Sequence, residues 1–146
     1  MAAAKGSSSI DIAASPDRIM SVVTDINAYP EWVKEMKQVS VSQADSSGRP
    51  LRASFAVDAK VKTVRYELDY SYEPNVISWH SVDGGDVSEI SGSYRMNPNG
   101  SSTRVEYDYA IDPGFPMPAP VRKQAVKLIV ATALKGLKKR VESIPA

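Results

Sequence analysis

The chain contains no cysteine and a single histidine. The first absence removes disulfides, thiolate catalysis and zinc-thiolate sites, and it fits a reducing compartment. The second rules out a multi-histidine metal site, and a Ser-His-Asp triad would have to use His80 itself. Charge imbalance is also missing. At a formal +1 over 146 residues there is no global attraction for nucleic acid or an anionic membrane. No apolar run approaches the ~20 residues of a spanning helix, and the opening MAAAKGSSS lacks the apolar core of a secretion signal. Gly84-Gly85 reads as a turn, with no GxGxxG or P-loop pattern around it. The expectation is a cytoplasmic protein without metal or cofactor and without membrane insertion. No internal repeat or linker divides it, so residues 7–144 are read as one domain and residues 1–6 as a loose end.

What is present is organised around the last stretch, Pro118 to Glu142. Placed on a helix at 100° per residue, Gln124, Lys127, Ala131, Lys135, Lys138 and Glu142 fall on one narrow stripe. Val126, Ile129, Ala133, Gly136 and Leu137 lie opposite. Val121, Ala125 and Leu128 flank them on one side, and Val130, Leu134 and Val141 on the other. So wide an apolar arc predicts a helix laid against something broad and apolar. The segment Pro113 to Pro120 leads into it, because prolines end a strand ladder but suit a helix entrance. Lys138, Lys139 and Arg140 sit in the last turns, where positive charge complements the helix dipole. That basic end is read first as solvated surface, with a phosphate or lipid-headgroup patch as the alternative.

Upstream, Ser7 to Ala13 reads as a first strand. Ser15-Pro16-Asp17 then starts a helix with a Ser cap, Pro in the first turn and an acid beside it. Pro30 interrupts any continuation, so two short helices are expected. From Met36 to Asp112 the period changes to two. Leu51, Ala53, Phe55 and Val57 form one alternating set, and Val64, Tyr66, Leu68, Tyr70 and Tyr72 the clearest one. Ile77 and Trp79 follow, then Ile90, Gly92, Tyr94 and Met96, and finally Val105, Tyr107, Tyr109 and Ile111. Turn signals separate them at 46–50, 74–75, 83–86 and 97–100. Sequential hairpins make the strands antiparallel, with one face wet and the other covered by the long helix.

The inner face is rich in tyrosine. Tyr66, Tyr70, Tyr94, Tyr107, Tyr109 and Trp79 share it by parity, and each polar tip wants a partner. Two readings stand side by side: amphipathic rings lining a cavity, or rings that fill space and reach water at the sheet ends. By parity Arg65, Glu67, Asp69, His80, Glu89, Arg95, Glu106 and Asp108 point outward, so no base stands beside the tyrosines. Arg122 and Arg140 fall on the sheet-facing side of the helix near its ends. Each either meets a ligand's carboxylate or phosphate at a cavity mouth or, by preference, snorkels to solvent.

Four stretches resemble the START-like helix-grip superfamily, which includes the birch-pollen allergen and the polyketide cyclase/dehydrase and lipid-transport proteins. They are IDIAASPDRIMSVVTDINAYPEW (10–32), with its Tyr29-Pro30-Glu31-Trp32; VISWHSVDGGDVSEISGSYRM (76–96); STRVEYDYAIDPGFPMP (102–118); and LKGLKKRVE (134–142). The resemblance implies an α+β fold: a seven-stranded antiparallel sheet wrapped around the C-terminal helix, two short helices between strands 1 and 2, and an apolar cavity between sheet and helix. The cavity lining it implies starts with Trp32, Phe55, Val57, Val64, Tyr66 and Leu68. The strands after that add Trp79, Ile90, Tyr94, Tyr107 and Tyr109. Met117, Val126, Ile129, Val130 and Ala133 complete it from the exit loop and the helix. The two-helix insert and Gly114–Ala119 are the expected gate.

The same resemblance leaves three functions open, since one fold hosts many. The first is binding or transport of a hydrophobic small molecule: a lipid, a quinone or isoprenoid, or a polyketide-like aromatic. The second is a polyketide cyclase or dehydratase, for which no motif carries catalytic positions over. The third is a toxin-like or ribosome-associated interaction module. A monomer without nucleic acid is the default.

Overall fold

The computed structural model describes residues 3–58, 62–112, 114 and 117–144. The chain runs β1 (Ala4–Ile12), α1 (Pro16–Thr24), a 3₁₀ helix η1 (Ile26–Glu31), β2 (Met36–Ala44), β3 (Pro50–Asp58), β4 (Thr63–Glu73), β5 (Val76–Ser81), β6 (Glu89–Asn99), β7 (Ser102–Asp112) and α2 (Ala119–Ser143). The seven strands form one sheet in the order β1-β7-β6-β5-β4-β3-β2, every neighbouring pair antiparallel. The expected element order and helix-grip class are both present. β1 begins at Ala4, so Ala4 to Gly6 pair with Tyr109 to Ile111 and are not a loose end; residues 1 and 2 lie outside the described set.

Local chemistry explains the punctuation. Ser15 caps α1, its hydroxyl accepting from the Arg18 N–H at 3.3 Å, which satisfies one of the orphan donors of the first turn. Pro30 sits inside the second helix, which is a six-residue 3₁₀ turn and not an α-helix. Proline supplies no N–H for a longer ladder. Asn75 turns β4 into β5 at φ 58°, a left-handed position that asparagine tolerates. The 83–86 signal is not a tight hairpin. Residues 82–88 instead fold along β4: the Asp86 N–H donates to the Arg65 carbonyl at 2.8 Å, and the Arg65 N–H donates to the Asp86 carboxylate at 2.9 Å.

Because β7 ends at Asp112 and α2 starts at Ala119, the helix enters over the strand ends near residues 4, 81, 89 and 112. It leaves over the opposite ends. Polar ties concentrate in its C-terminal half. Lys138 Nζ donates to the Asp11 carbonyl at 2.7 Å, and Glu142 accepts from the Ala13 N–H at 2.8 Å. Arg140 pairs with Glu31 at 2.9 Å, and Arg18 reaches the Val141 and Ile144 carbonyls. The buried stripe of α2 is Arg122, Val126, Val130, Leu134, Leu137 and Val141. It is narrower than the predicted arc and rotated from its centre, because the sheet and α1 cover one side of the helix only. Val121, Leu128 and Ile129 are exposed.

Candidate functional site: an aromatic floor beneath the long helix

The aromatic face that the sheet turns toward α2 follows from strand register. One line across the sheet runs Tyr70↔Trp79, Trp79↔Gly92, Gly92↔Tyr109 and Tyr109↔Gly6. Large rings flank glycines in this line, and the rings lie over them. A Cβ on Gly92 would stand 3.1 Å from the Trp79 ring, and one on Gly6 would stand 2.6 Å from the Tyr109 hydroxyl. Trp79 therefore lies across β6 and meets Tyr94 at 4.9 Å and Tyr107 at 5.8 Å between ring centroids. Tyr94 and Tyr107 pair edge to face at 4.9 Å, and Tyr107 meets Tyr109 at 5.6 Å. These are the spacings that ring quadrupoles favour. A second file of rings, Tyr66, Phe55, Tyr29 and Trp32, joins β4 and β3 to η1 with centroid spacings of 5.3, 6.4 and 5.4 Å.

The polar tips divide into two groups. Tyr29 donates to the Val23 carbonyl and Tyr72 to the Pro50 carbonyl. Among the described residues, the hydroxyls of Tyr66, Tyr70, Tyr94, Tyr107 and Tyr109 and the indole N–H of Trp79 have no protein hydrogen-bond partner. None of these atoms is sealed away without one. A buried hydroxyl needs a partner, so these tips open onto space that water or a ligand can reach. Tyr66, Trp79, Tyr94 and Tyr109 are accordingly half-buried, while Tyr70 and Tyr107 are buried.

Desolvation raises the phenols. Tyr107 is pushed up to about 12, chiefly by burial and then by Tyr109. Tyr66, Tyr70 and Tyr94 also rise, first through burial and then through neighbouring phenols. The causes include Tyr107 acting on Tyr66, and Tyr29 and Tyr94 acting on Tyr70. At neutral pH such phenols stay protonated. They donate to a carbonyl or accept from a hydroxyl, and they do not act as bases.

Charged groups lie elsewhere. On the polar parity Arg52 grips Asp69 at 2.6 Å, Ser54 donates to Glu67 at 3.1 Å, and His80 stands exposed 3.8 Å from Asp69. The Arg52 hydrogen bond holds the Asp69 carboxyl below its usual range. Arg140 is taken by Glu31. Arg122 is buried on the helix stripe that faces the sheet, and so does not snorkel as expected. No group of three or more potential metal-ligating side chains occurs among the described residues.

The structure places the predicted lining residues unevenly. Phe55, Val64, Leu68, Tyr107, Val126 and Val130 are buried, and Trp32, Val57, Tyr66, Trp79, Ile90, Tyr94, Tyr109, Met117 and Ala133 are half-buried. Ile129 is 51% exposed; it shares the flank of Ala133 and Gly136, the last of which faces Trp32. An open depression of about 750 Å³ crosses β2, β3 and β4, between Asn27 and Pro30 on one side and Val82 to Gly85 on the other. Gln38, Ser40, Ser54, Arg65 and Glu67 give it a polar character, and α2 takes no part in it. A smaller one, about 230 Å³, lies among Ser21, Asp25, Trp32, Arg140 and Ile144. The reading by parity missed Tyr29 and Gly6, and it placed Gly92 on the inner face without seeing its role. Tyr29 lies in a 3₁₀ turn where no period assigns a face, and glycine's role depends on strand register. The expected gate at Gly114–Ala119 falls partly outside the described residues.

The family described as polyketide cyclase/dehydrase and lipid transport matches residues 3–142. No curated protein matches the chain. Among solved structures, a START superfamily protein from Mycobacterium smegmatis is 26% identical with a TM-score of 0.87, covering 97% of this chain and 99% of that one. A Thermus thermophilus protein is 25% identical with a TM-score of 0.79 over 97% of this chain and 99% of its own. The Zhui aromatase/cyclase of a Streptomyces species shares the fold at 15% identity and a TM-score of 0.74, over 94% of this chain and 93% of its own.

Proposed function

We propose, from the premise that this chain belongs to the polyketide cyclase/dehydrase and lipid transport family, that it binds a hydrophobic small molecule between the aromatic floor and α2. The observation that carries this reading is the set of unpartnered, solvent-reachable tips on Tyr66, Tyr70, Trp79, Tyr94, Tyr107 and Tyr109. A dry core would use aliphatic side chains, or would satisfy these groups internally. Rings with scattered neutral donors suit an apolar ligand that carries a few carbonyl or hydroxyl groups. Lipids, quinones or isoprenoids, and polyketide-like aromatics all answer to that description. Binding without turnover is favoured because burial keeps Tyr66, Tyr70, Tyr94 and Tyr107 protonated, and strand parity puts no carboxylate or histidine on their face of β4 to β7.

Native mass spectrometry of the purified protein, followed by solvent extraction, is the first test. A stoichiometric apolar compound is the expected result. The second is Ile129→Arg. Its exposure lets the chain fold normally, while a guanidinium beside the proposed ligand impedes an apolar molecule. Wild-type affinity in the folded variant, for an extracted compound or a fluorescent acyl or polycyclic probe, counts against this placement of the ligand. The cyclase reading predicts turnover of a poly-keto substrate that falls in Tyr94→Phe or Tyr107→Phe while binding survives.

A further inference from the structure

Among the described residues three large apolar side chains are exposed, and all three lie in the first half of α2: Val121 at 53%, Leu128 at 68% and Ile129 at 51%. The same helix carries Arg122, Lys123, Lys127, Lys135, Lys138, Lys139 and Arg140 against a single acid, Glu142. The formal +1 of the whole chain conceals this concentration. Three of the seven are engaged or enclosed: Arg122 is buried, Lys138 binds Asp11 and Glu142, and Arg140 binds Glu31. Lys123, Lys127, Lys135 and Lys139 are exposed.

Helical geometry puts the exposed groups in order. Val121, Leu128 and Lys135 recur at seven-residue intervals, with Ala125, Thr132 and Lys139 beside them. They form one outward stripe, apolar in its first half and basic in its second. A convex helix face with apolar side chains and flanking lysines matches the plane of a headgroup interface. Attraction to anionic lipid adds to it for each lysine near the surface. Two copies of so basic a helix would repel each other if they met face to face, which disfavours self-association through this stripe.

We propose that the outward face of α2 docks on anionic phospholipid membranes, peripherally and without insertion. The surface itself needs no ligand, so its test is separable from that of the binding site.

The full chain is mixed with vesicles of phosphatidylcholine alone, or of phosphatidylcholine with phosphatidylglycerol, and sedimented. The wild type is expected to partition onto the mixed vesicles and to leave them as salt rises. Val121→Gln with Leu128→Gln lowers the partition about tenfold. Lys135→Gln with Lys139→Gln lowers it about twentyfold. All four positions are exposed, so thermal midpoints should stay at the wild-type value and a folding defect is separately visible. No partition onto the mixed vesicles overturns the proposal, as does equal partition onto neutral ones or partition unchanged in both variants. A solution dimer that Leu128→Gln dissolves would assign the stripe to a second copy instead. Since Ile129 is left untouched, a negative result here leaves the ligand reading standing.

Discussion

Gly92 and Gly6 occupy similar notches and should respond differently to the same change. A Cβ at Gly92 meets the Asp108 carbonyl at 2.8 Å and the Trp79 ring at 3.1 Å. Backbone cannot retreat without distorting the β6–β7 ladder, so Gly92→Ala should cost about 1–3 kcal/mol and shift Trp79 fluorescence. At Gly6 the obstacle is the Tyr109 hydroxyl, the free end of a side chain that swings aside, and Gly6→Ala should cost less than about 1 kcal/mol. Urea denaturation of the pair checks the contrast; equal costs would mean the rings are not seated as described. The tyrosines add a pH dependence. Burial raises Tyr72 and Tyr107 from 10.0 to about 12, so above pH 10 the unfolded chain loses protons that the folded chain keeps. Stability from these groups is therefore whole below pH 10 and declines as pH rises toward 12. Thermal midpoints across that range, with tyrosinate absorbance as the reporter, should fall together with phenol ionisation. A midpoint flat to pH 12 would contradict it.

Among the elements, α2 is where sequence and structure part most instructively. Gly136 faces Trp32, but an added Cβ would stand 3.6 Å from the ring, an ordinary contact. Gly136→Ala should therefore gain most of its helix propensity, about 0.5–1 kcal/mol, seen as a higher urea midpoint at an unchanged slope. The helix itself, its proline entrance and its sheet partner were legible because period, length and punctuation agree over 25 residues. Its burial was not. Periodicity says which side chains share a face, but not how far a sheet covers that face, and the sheet covers α2 unevenly along its length. Strand alternation likewise assigned every ring of the floor to the right side, since a period of two leaves no freedom. Lateral alignment was beyond it. That Gly92 stands between Trp79 and Tyr109 depends on the registers of β5–β6 and β6–β7, which turn geometry sets. The fate of Arg140 turns on Glu31, far along the chain, and such a pair leaves no periodic trace.

Over the whole molecule, the proposed binding of a ligand under α2 predicts a link between occupancy and stability. The C-terminal half of the helix is tied to β1, α1 and η1 by Lys138, Glu142, Arg18 and Arg140. Its N-terminal half carries the exposed apolar side chains. A ligand lying on Trp79, Tyr94 and Tyr109 would find its free side nearest that less tied half. Binding to the folded state alone stabilises it by about 2.7 kcal/mol at a hundredfold excess over Kd. For a chain of this length that amounts to a rise in Tm of roughly 5–10 °C. Delipidated protein should thus melt lower than protein as purified, and the extracted compound should restore the difference. Hydrogen exchange should slow on adding the compound at 119–130 more than at 135–143, because the second segment is already tied to β1, α1 and η1. Uniform protection along α2 would mean that the ligand braces the fold as a whole, and that the helix does not close over its site from one end.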